Sequence, residues 1–231
     1  MLKIESIVID GIEVKFKLYP ALVLENNIRW KEGIIEFHPT KKSIEDNSWQ
    51  EELKTYFRKN KDFCLNYSGE AIDIKNKHFY LFGEKINFEI IEKINEFIFN
   101  CEKIDVLEKS FNSLKLLERF IKNFCEQRLF RYLIYRTTEL ENLLKVEKRN
   151  KIILKKFNSY WGRNSFTQNT IEYASRLFPF SQEIIDSIIY HELVHCFFPH
   201  HKKDFWNKLY NYVSKEKYEL YSNKLYFGVF N

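Results

Sequence analysis

The sequence contains few of the residues that interrupt regular structure, with six glycines and four prolines among 231 residues. It has four cysteines, and none of them belongs to a CxxC pair. This spacing excludes a zinc ribbon of paired cysteines and does not suggest a disulfide framework, so we expect reduced thiols in a cytoplasmic protein. No apolar run reaches the roughly 18 residues that a membrane-spanning helix requires. The segment Met1–Glu5 lacks an apolar stretch ahead of a small-residue cleavage site, so we predict no signal peptide.

Positively charged residues only slightly outnumber negatively charged ones. The chain has 37 Lys and Arg against 32 Asp and Glu, a formal net charge of +5. Positive and negative residues alternate, for example between Lys41 and Lys61. Such mixed stretches are typical of a solvated surface and give no strong nucleic-acid signal. The sequence also has no Gly-rich phosphate-binding loop, although its mild positive charge would tolerate an anionic substrate.

Residues 1–104 are predicted to form a β-rich N-terminal region. Asp10-Gly11 lies between two alternating apolar segments, which is a strong hairpin signal. Apolar spacing predicts one helix over residues 48–66. The other predicted strands are Leu22–Leu24, Ile28–Trp30, Ile34–Phe37, His78–Phe82, Ile86–Ile90 and Ile94–Asn100, with the hairpin of the second half turning at Gly83-Glu84.

Residues 105–231 are predicted to form the catalytic region, in one compact unit with the first. Apolar residues recur at helical spacing from Asp105 to Glu147, with one or two breaks expected in so long a run. Strands are predicted at Ile152–Phe157 and Thr170–Ala174, with a loop over Ser159–Gln168 between them. A largely apolar and therefore buried helix is predicted from Ser181 to Pro199, and a last helix is predicted to present Phe205, Leu209, Tyr212 and Val213 on one face.

The segment His191-Glu192-Leu193-Val194-His195 carries the chemistry. Histidines four residues apart lie on one face of a helix and can share one metal ion. The HExxH arrangement is typical of zinc hydrolases, in which the glutamate acts as general base on water. A glutamate on an apolar helix is costly to bury unless a cation compensates it. The motif therefore predicts one zinc ion and assigns Glu192 the catalytic role.

Zinc catalysis requires three protein ligands and one open position. His201 lies ten residues after His191, far enough for the chain to leave the helix and return. His200 is adjacent and is an alternative ligand. We favour His201, because a step of ten recurs in compact zinc hydrolase motifs.

Several segments together resemble the YgjP-like metallopeptidase family, a relative of the SprT-type and WLM-type zincins. The resemblance covers nearly the whole chain. It is carried by Tyr160-Trp161-Gly162-Arg163-Asn164-Ser165, Ile171, Leu177, Ile185-Asp186, the HExxH segment, His201 and Phe205-Trp206, and in the first half by Trp30 to Gly33, Trp49 and Leu81-Phe82-Gly83. The chain departs from the family pattern at Arg163 and Asn164, which replace Ser-Cys, and at Ala174, which replaces Asn.

The resemblance implies an α+β fold, namely a zincin-like metallohydrolase core with a central HExxH helix after a β-rich N-terminal region. It implies a zinc-dependent metallopeptidase in which a strand beside the helix aligns an extended peptide. Residues 169–174 or 152–157 would be that strand. Trp161, Arg163 and Tyr190 are candidate substrate-binding residues, and Tyr160, Arg163 or Tyr190 is a candidate oxyanion donor.

Two other functions remain open from the sequence. Members of the family have been linked to uridine-triphosphate pyrophosphatase activity, so the resemblance also implies a nucleotide hydrolase that uses the same metal site. A third alternative is an adaptor that associates with nucleic acid, but the sequence has neither the zinc ribbon nor the basic stripe that would support it. An open groove beside the metal helix would favour peptides as substrate, whereas a closed pocket rich in Lys and Arg would favour nucleotides.

Overall fold

The computed structural model describes residues 3–157 and 159–231. The chain mixes helices and strands and has a β-rich N-terminal region, as predicted. It divides into two compact units, one formed by residues up to Gly69 with Asn223–Val229, the other by Glu70–Ser222 with Phe230-Asn231. The boundary predicted between residues 104 and 105 falls inside the second unit.

The first unit contains a four-stranded sheet of order β1-β2-β4-β3. Its strands are β1 (Glu5–Ile9), β2 (Ile12–Leu18), β3 (Asn27–Lys31) and β4 (Ile34–His38). The hairpin predicted at Asp10-Gly11 is confirmed, with both turn residues at positive φ (50° and 79°), as the tight hairpin turn requires. The strand predicted at Leu22–Leu24 is wrong. Leu22 and Leu24 are 87% and 99% exposed and lie in irregular chain after Pro20, where no neighbouring strand pairs with them.

Three helices follow this sheet in the chain: α1 (Lys41–Glu45), α2 (Ser48–Lys59) and α3 (Lys61–Leu65). The single helix predicted over residues 48–66 is therefore two helices. The break lies at Asn60, whose side-chain amide donates to the carbonyl of Tyr56 at 2.9 Å. Asn and Asp side chains compete with helical hydrogen bonds in this way. Phe57 of α2 packs in one core with Trp30 and with Phe227 from near the chain's end.

The second unit begins with two three-stranded antiparallel sheets. The first contains β5 (Ile72–Asp73), β6 (His78–Leu81) and β7 (Glu84–Asn87), and the second contains β8 (Glu89–Lys93), β9 (Glu96–Cys101) and β10 (Val106–Phe111). The β6–β7 turn is at Phe82-Gly83, one residue earlier than predicted. The predicted strand Ile86–Ile90 is shared between β7 and β8, which belong to different sheets.

The helix predicted from Asp105 to Glu147 is wrong at its start. Val106–Phe111 is a strand that pairs with β9, because a tertiary partner overrides local helical spacing. The helix α4 begins at Leu114, with the Ser113 hydroxyl accepting from the Leu116 N–H, and runs unbroken through 31 residues to Leu144. The predicted breaks are absent, since buried residues recur every three or four positions along its whole length.

A third sheet carries β11 (Lys151–Lys155), β12 (Gly162–Ser165) and β13 (Thr170–Ala174). β13 is as predicted and lies in the middle, parallel to β11 and antiparallel to β12. β12 was missed, because residues 159–168 were predicted to be a loop. The sequence Gly-Arg-Asn-Ser has no apolar residue that would indicate a strand.

Three helices complete the chain: α5 (Gln182–Val194), α6 (Lys203–Tyr210) and α7 (Lys215–Phe227). The predicted last helix ends earlier than expected, at Tyr210, so Tyr212 and Val213 lie outside it, and α7 was not predicted. α5 packs against α4, β12 and α6. None of the helices formed by the described residues has the length and apolar character needed to cross a membrane.

Candidate metal centre

The helix α5 is apolar on most of its surface and carries the HExxH segment in its last turn. Ile184, Ile185, Ile189, Leu193 and Val194 are fully buried. Its first turn follows Pro179 and Ser181, whose carbonyl accepts from the N–H of residue 185 at 3.1 Å. Because the surrounding residues bury α5 on several sides, the positions of its side chains are fixed by packing.

Three histidines converge at the end of this helix. The Nε2 atoms of His191 and His201 are 3.0 Å apart. One nitrogen from each of His191, His195 and His201 lies within 4.8 Å of the others. His200 is not part of this group. The chain turns after α5 and brings His201 back beside the helix, as the ten-residue spacing predicts.

The second nitrogen of two of these histidines has its own hydrogen-bond partner. His195 Nδ1 lies 3.1 Å from the carbonyl oxygen of Phe198. His191 Nδ1 lies 2.8 Å from the hydroxyl of Tyr218, a residue of α7. When Nδ1 carries the proton and donates it, the lone pair on Nε2 is left for a metal. Tyr218 is 27 residues from His191 in a tyrosine-rich stretch, and nothing in the sequence indicated its role.

Aromatic rings surround the histidines. The ring of Phe205 lies 4.6–5.0 Å from each of the three imidazoles, measured between ring centroids. Trp206 stacks on His201, and its indole N–H donates to the His201 carbonyl at 3.1 Å. Phe205 and Trp206 both belong to α6.

Burial lowers the pKa of His191 to about 3, with smaller contributions from the other two histidines, and burial also lowers the pKa of His195. The neutral form that this favours is the form that binds metal.

Glu192 is buried beside this group, with 5% of its surface exposed. Burial raises its pKa to about 8, and the backbone N–H of Asn164 offsets part of this effect. A cation held by the histidines would favour the charged carboxylate and lower this pKa. A divalent metal bound there would therefore provide the buried glutamate with a countercharge.

β12 lies directly against Glu192. A Cβ atom at Gly162 would lie 2.5 Å from Glu192 Oε1, so any larger residue at that position would displace the glutamate side chain. Asn164, two residues further on the same face, donates from its side-chain amide to the Glu192 carbonyl at 2.7 Å and to Cys196 Sγ at 3.3 Å. The departure from the family pattern at Asn164 therefore forms part of the support of the helix.

The strand next to the metal helix is β12, and this corrects the two candidates predicted from sequence. β13 has neighbours on both edges and cannot accept a further strand. β11 lies on the far side of β13. Among the described strands of this sheet, β12 alone combines a free edge with contacts to Glu192.

Three residues predicted to contact the substrate lie outside the histidine group. Arg163 alternates with Gly162 along β12 and so faces away from α5, and its Nε donates to Glu172 at 2.8 Å. Tyr190 stacks on the ring of Tyr212 at 5.3 Å. The indole of Trp161 packs against Phe180 and beneath the guanidinium of Arg176, 3.7 Å from the ring centroid.

Tyr160 and Ala174 were also named in the sequence analysis, and both make packing or backbone contacts. The Tyr160 ring packs on Phe157. Ala174, fully buried, donates its N–H to the Trp161 carbonyl at 2.9 Å and so extends the pairing of β12 and β13 by one residue.

A cavity of about 440 Å³ opens beside the end of α5. Cys196 and Phe197, which directly follow His195, form one wall. The other walls contain Lys145, Val146, Glu147, Lys148, Asn150, Phe166, Thr167 and Asn169. Burial raises the pKa of the Cys196 thiol. The walls mix apolar side chains with two lysines and one glutamate.

A family model described as "YgjP-like, metallopeptidase domain" matches residues 58–225, more than half of the chain. Among solved structures, the metallopeptidase zymogen jannalysin of Methanocaldococcus jannaschii is 25% identical, and the match covers 40% of this chain and 92% of that one, with a TM-score of 0.38. The zymogen abylysin of Pyrococcus abyssi is 18% identical, with 40% and 90% coverage and the same TM-score of 0.38. No curated protein matches the sequence.

Proposed function

Because this chain belongs to the YgjP-like metallopeptidase family, we propose that it is a zinc-dependent peptidase with a zincin-like core built around α5. His191, His195 and His201 hold one zinc ion, and Glu192 is the general base. The observation that carries this proposal is the convergence of three imidazoles next to a buried glutamate. The family implies a divalent metal, and zinc is the ion that a three-nitrogen set of this kind suits best.

The residues present fit such an ion. Three imidazoles offer nitrogen atoms close enough to share one metal, and the Nδ1 atoms of His191 and His195 already have partners. Three protein ligands leave one position free, as in catalytic zinc sites. When bound, zinc supplies Lewis acidity that polarises a carbonyl group and makes water more acidic.

The chain's own residues supply the rest of the chemistry. Glu192 follows the first ligand in sequence and is held against β12, so its carboxylate can take a proton from the attacking water and pass it to the leaving amine. The free edge of β12 offers backbone N–H and C=O groups that can pair with an extended peptide. Gly162 lets that edge approach the glutamate, since any side chain there would displace the carboxylate.

The proposal is tested with purified protein and the isosteric Glu192→Gln variant. We expect one zinc ion per chain in both proteins, and cleavage of a peptide library by the unchanged protein alone. Metal content is measured by mass spectrometry and cleavage by product sequencing. A His195→Ala variant should lose the metal. Equal metal content in this variant and the unchanged protein would contradict the proposed ligand set, and equal cleavage by Glu192→Gln would contradict the role of the glutamate.

One observation favours a second candidate, a nucleoside triphosphate pyrophosphatase that acts on uridine triphosphate through the same centre. Lys145 and Lys148 bring positive charge to the cavity beside Cys196, although the residues that line this cavity include neither the three histidines nor Glu192. Glu147 in the same walls weakens the positive field, and no arginine lines the cavity, so the peptidase remains the better supported function. Pyrophosphate release that is absent in Glu192→Gln would establish the second candidate.

A further inference from the structure

We infer that Tyr218 is a positioning residue of the metal centre, which acts on the metal through His191. Its phenol oxygen accepts the Nδ1 proton of His191 and so selects the form of the imidazole whose Nε2 lone pair faces the metal. This inference rests on the proposed metal centre and deepens it, because it assigns a role to a residue outside the HExxH segment and its third histidine.

The geometry of the contact supports this role. The Tyr218 oxygen lies 2.8 Å from His191 Nδ1, and the two ring planes are inclined by only 10°. The 2.8 Å separation is within the range of an N–H···O hydrogen bond, so the phenol oxygen can accept the Nδ1 proton. Tyr218 is half-buried and also contacts the ring of Trp206, which leaves its ring little freedom to move away.

The phenol can take this role without losing its own proton. A tyrosine hydroxyl can accept one hydrogen bond while it donates another. Tyr218 can therefore accept the Nδ1 proton of His191 and remain a neutral phenol.

Tyr218 differs from the partner of the other ligand on this helix. His195 Nδ1 meets the backbone carbonyl of Phe198, which no substitution removes. His191 Nδ1 meets a side-chain oxygen, so its contribution can be deleted by the loss of a single atom. Partners of this kind orient metal-binding histidines, and their removal typically weakens metal affinity about 10- to 100-fold.

The test compares Tyr218→Phe with Tyr210→Phe in the full chain. Both substitutions remove one phenol oxygen from rings that contact Trp206, but only the first removes a partner of a histidine ligand. Zinc dissociation constants are measured by competition with a chromogenic chelator. We expect Tyr218→Phe to bind zinc about 10- to 100-fold more weakly and Tyr210→Phe to match the unchanged protein. Equal affinities for the two variants would overturn the inference.

A spectroscopic measurement makes the result independent of any loss of stability. In the unchanged zinc-loaded protein, nitrogen-15 NMR should show the Nδ1 of His191 protonated, with slow exchange of its proton. That exchange should become faster in Tyr218→Phe and stay slow in Tyr210→Phe. A His191 that is protonated at Nε2 in the loaded protein would overturn the inference. Failure of the unchanged protein to bind zinc at all would instead refute the proposed metal centre itself.

Discussion

At the scale of single residues, the position of the Glu192 carboxylate depends on the absence of a side chain at Gly162. Gly162 brings the backbone of β12 against the Glu192 carboxylate, where a Cβ atom would lie 2.5 Å from Oε1 and 2.7 Å from Cγ. The strand is held by its pairing with β13, so the Glu192 side chain is the part that has to move. The smallest side chain therefore changes the position of the catalytic carboxylate.

Gly162→Ala should reduce peptidase activity strongly while zinc binding persists. The added methyl group displaces the Glu192 side chain, and a displacement of about 1 Å at a catalytic group can cost about 100-fold in rate. The three atoms nearest to the added methyl group all belong to Glu192 and not to a histidine ligand. Cleavage rate and zinc content are measured on the same sample. Loss of the metal together with the activity would mean that the substitution disturbs the helix and not the glutamate alone.

The HExxH segment and its glutamate could be predicted from the sequence, because the spacing of the residues on one helix fixes their geometry. His201 was preferred to His200 as the third ligand for a similar reason, because it lies ten residues after His191. The contacts of Tyr218 and Gly162 could not be predicted, since they join residues about 30 positions apart that meet only when α7 and β12 are packed on α5.

At the scale of elements, the third sheet is held by charges as well as by backbone pairing. Glu172 in β13 is nearly buried between Lys155 of β11 and Arg163 of β12, and it forms an ion pair with each. The hydrogen bond from Lys155 and, next, that from Arg163 hold the pKa of Glu172 below its usual value, although burial opposes them. One carboxylate thus bridges both neighbours of the central strand.

Glu172 should make the stability of the second unit depend on pH in the acid range. A carboxylate whose pKa is lower in the folded protein stabilises it above the unfolded value, about 4.3, and this contribution disappears as the pH falls through the folded value. Glu172→Gln should lower stability at pH 7 and flatten the decline below about pH 4.3. Urea unfolding at several pH values measures both effects.

Glu118→Gln at an exposed position of α4 provides the control for the loss of one carboxylate. It should leave both the stability at neutral pH and its acid dependence close to those of the unchanged protein. An acid dependence of Glu172→Gln equal to that of the control would show that the two ion pairs add nothing to the sheet.

Elements whose signal is local were predicted well, and elements that need a distant partner were not. The hairpin at Asp10-Gly11 and the strand β13 follow from turn chemistry and alternation. The strand β10 was mistaken for helix, because its apolar spacing suits both forms and only pairing with β9 decides between them. β12 carries no apolar signal at all and exists because it pairs with β13.

At the scale of the whole molecule, the chain's end completes the core near its beginning. Phe227 is 2% exposed and packs with Trp30 and Phe63 in the first unit. The Trp30 indole N–H donates to the Phe227 carbonyl at 3.0 Å, across 197 positions of sequence. The first unit therefore has its full core only once the last helix has been added.

Phe227→Ala should destabilise the first unit by about 3–5 kcal/mol, the typical cost of deleting a buried aromatic ring. Urea unfolding followed by the fluorescence of Trp30 and Trp49 measures this loss, since both indoles contact aromatic rings of this unit. Leu65→Ala, at a position that is 53% exposed, should change stability little. A loss below about 1 kcal/mol for Phe227→Ala would mean that the core closes without this ring.

The free edge of β12 has a cost during folding. Backbone groups that can pair with an extended peptide can equally pair with a strand of another, incompletely folded copy, which is how exposed edges promote aggregation. Natural proteins limit this hazard with short edge strands and charged side chains. β12 has four residues, and one of them is Arg163. Lengthening this strand to bind peptides more tightly would therefore be expected to make the protein more prone to aggregate.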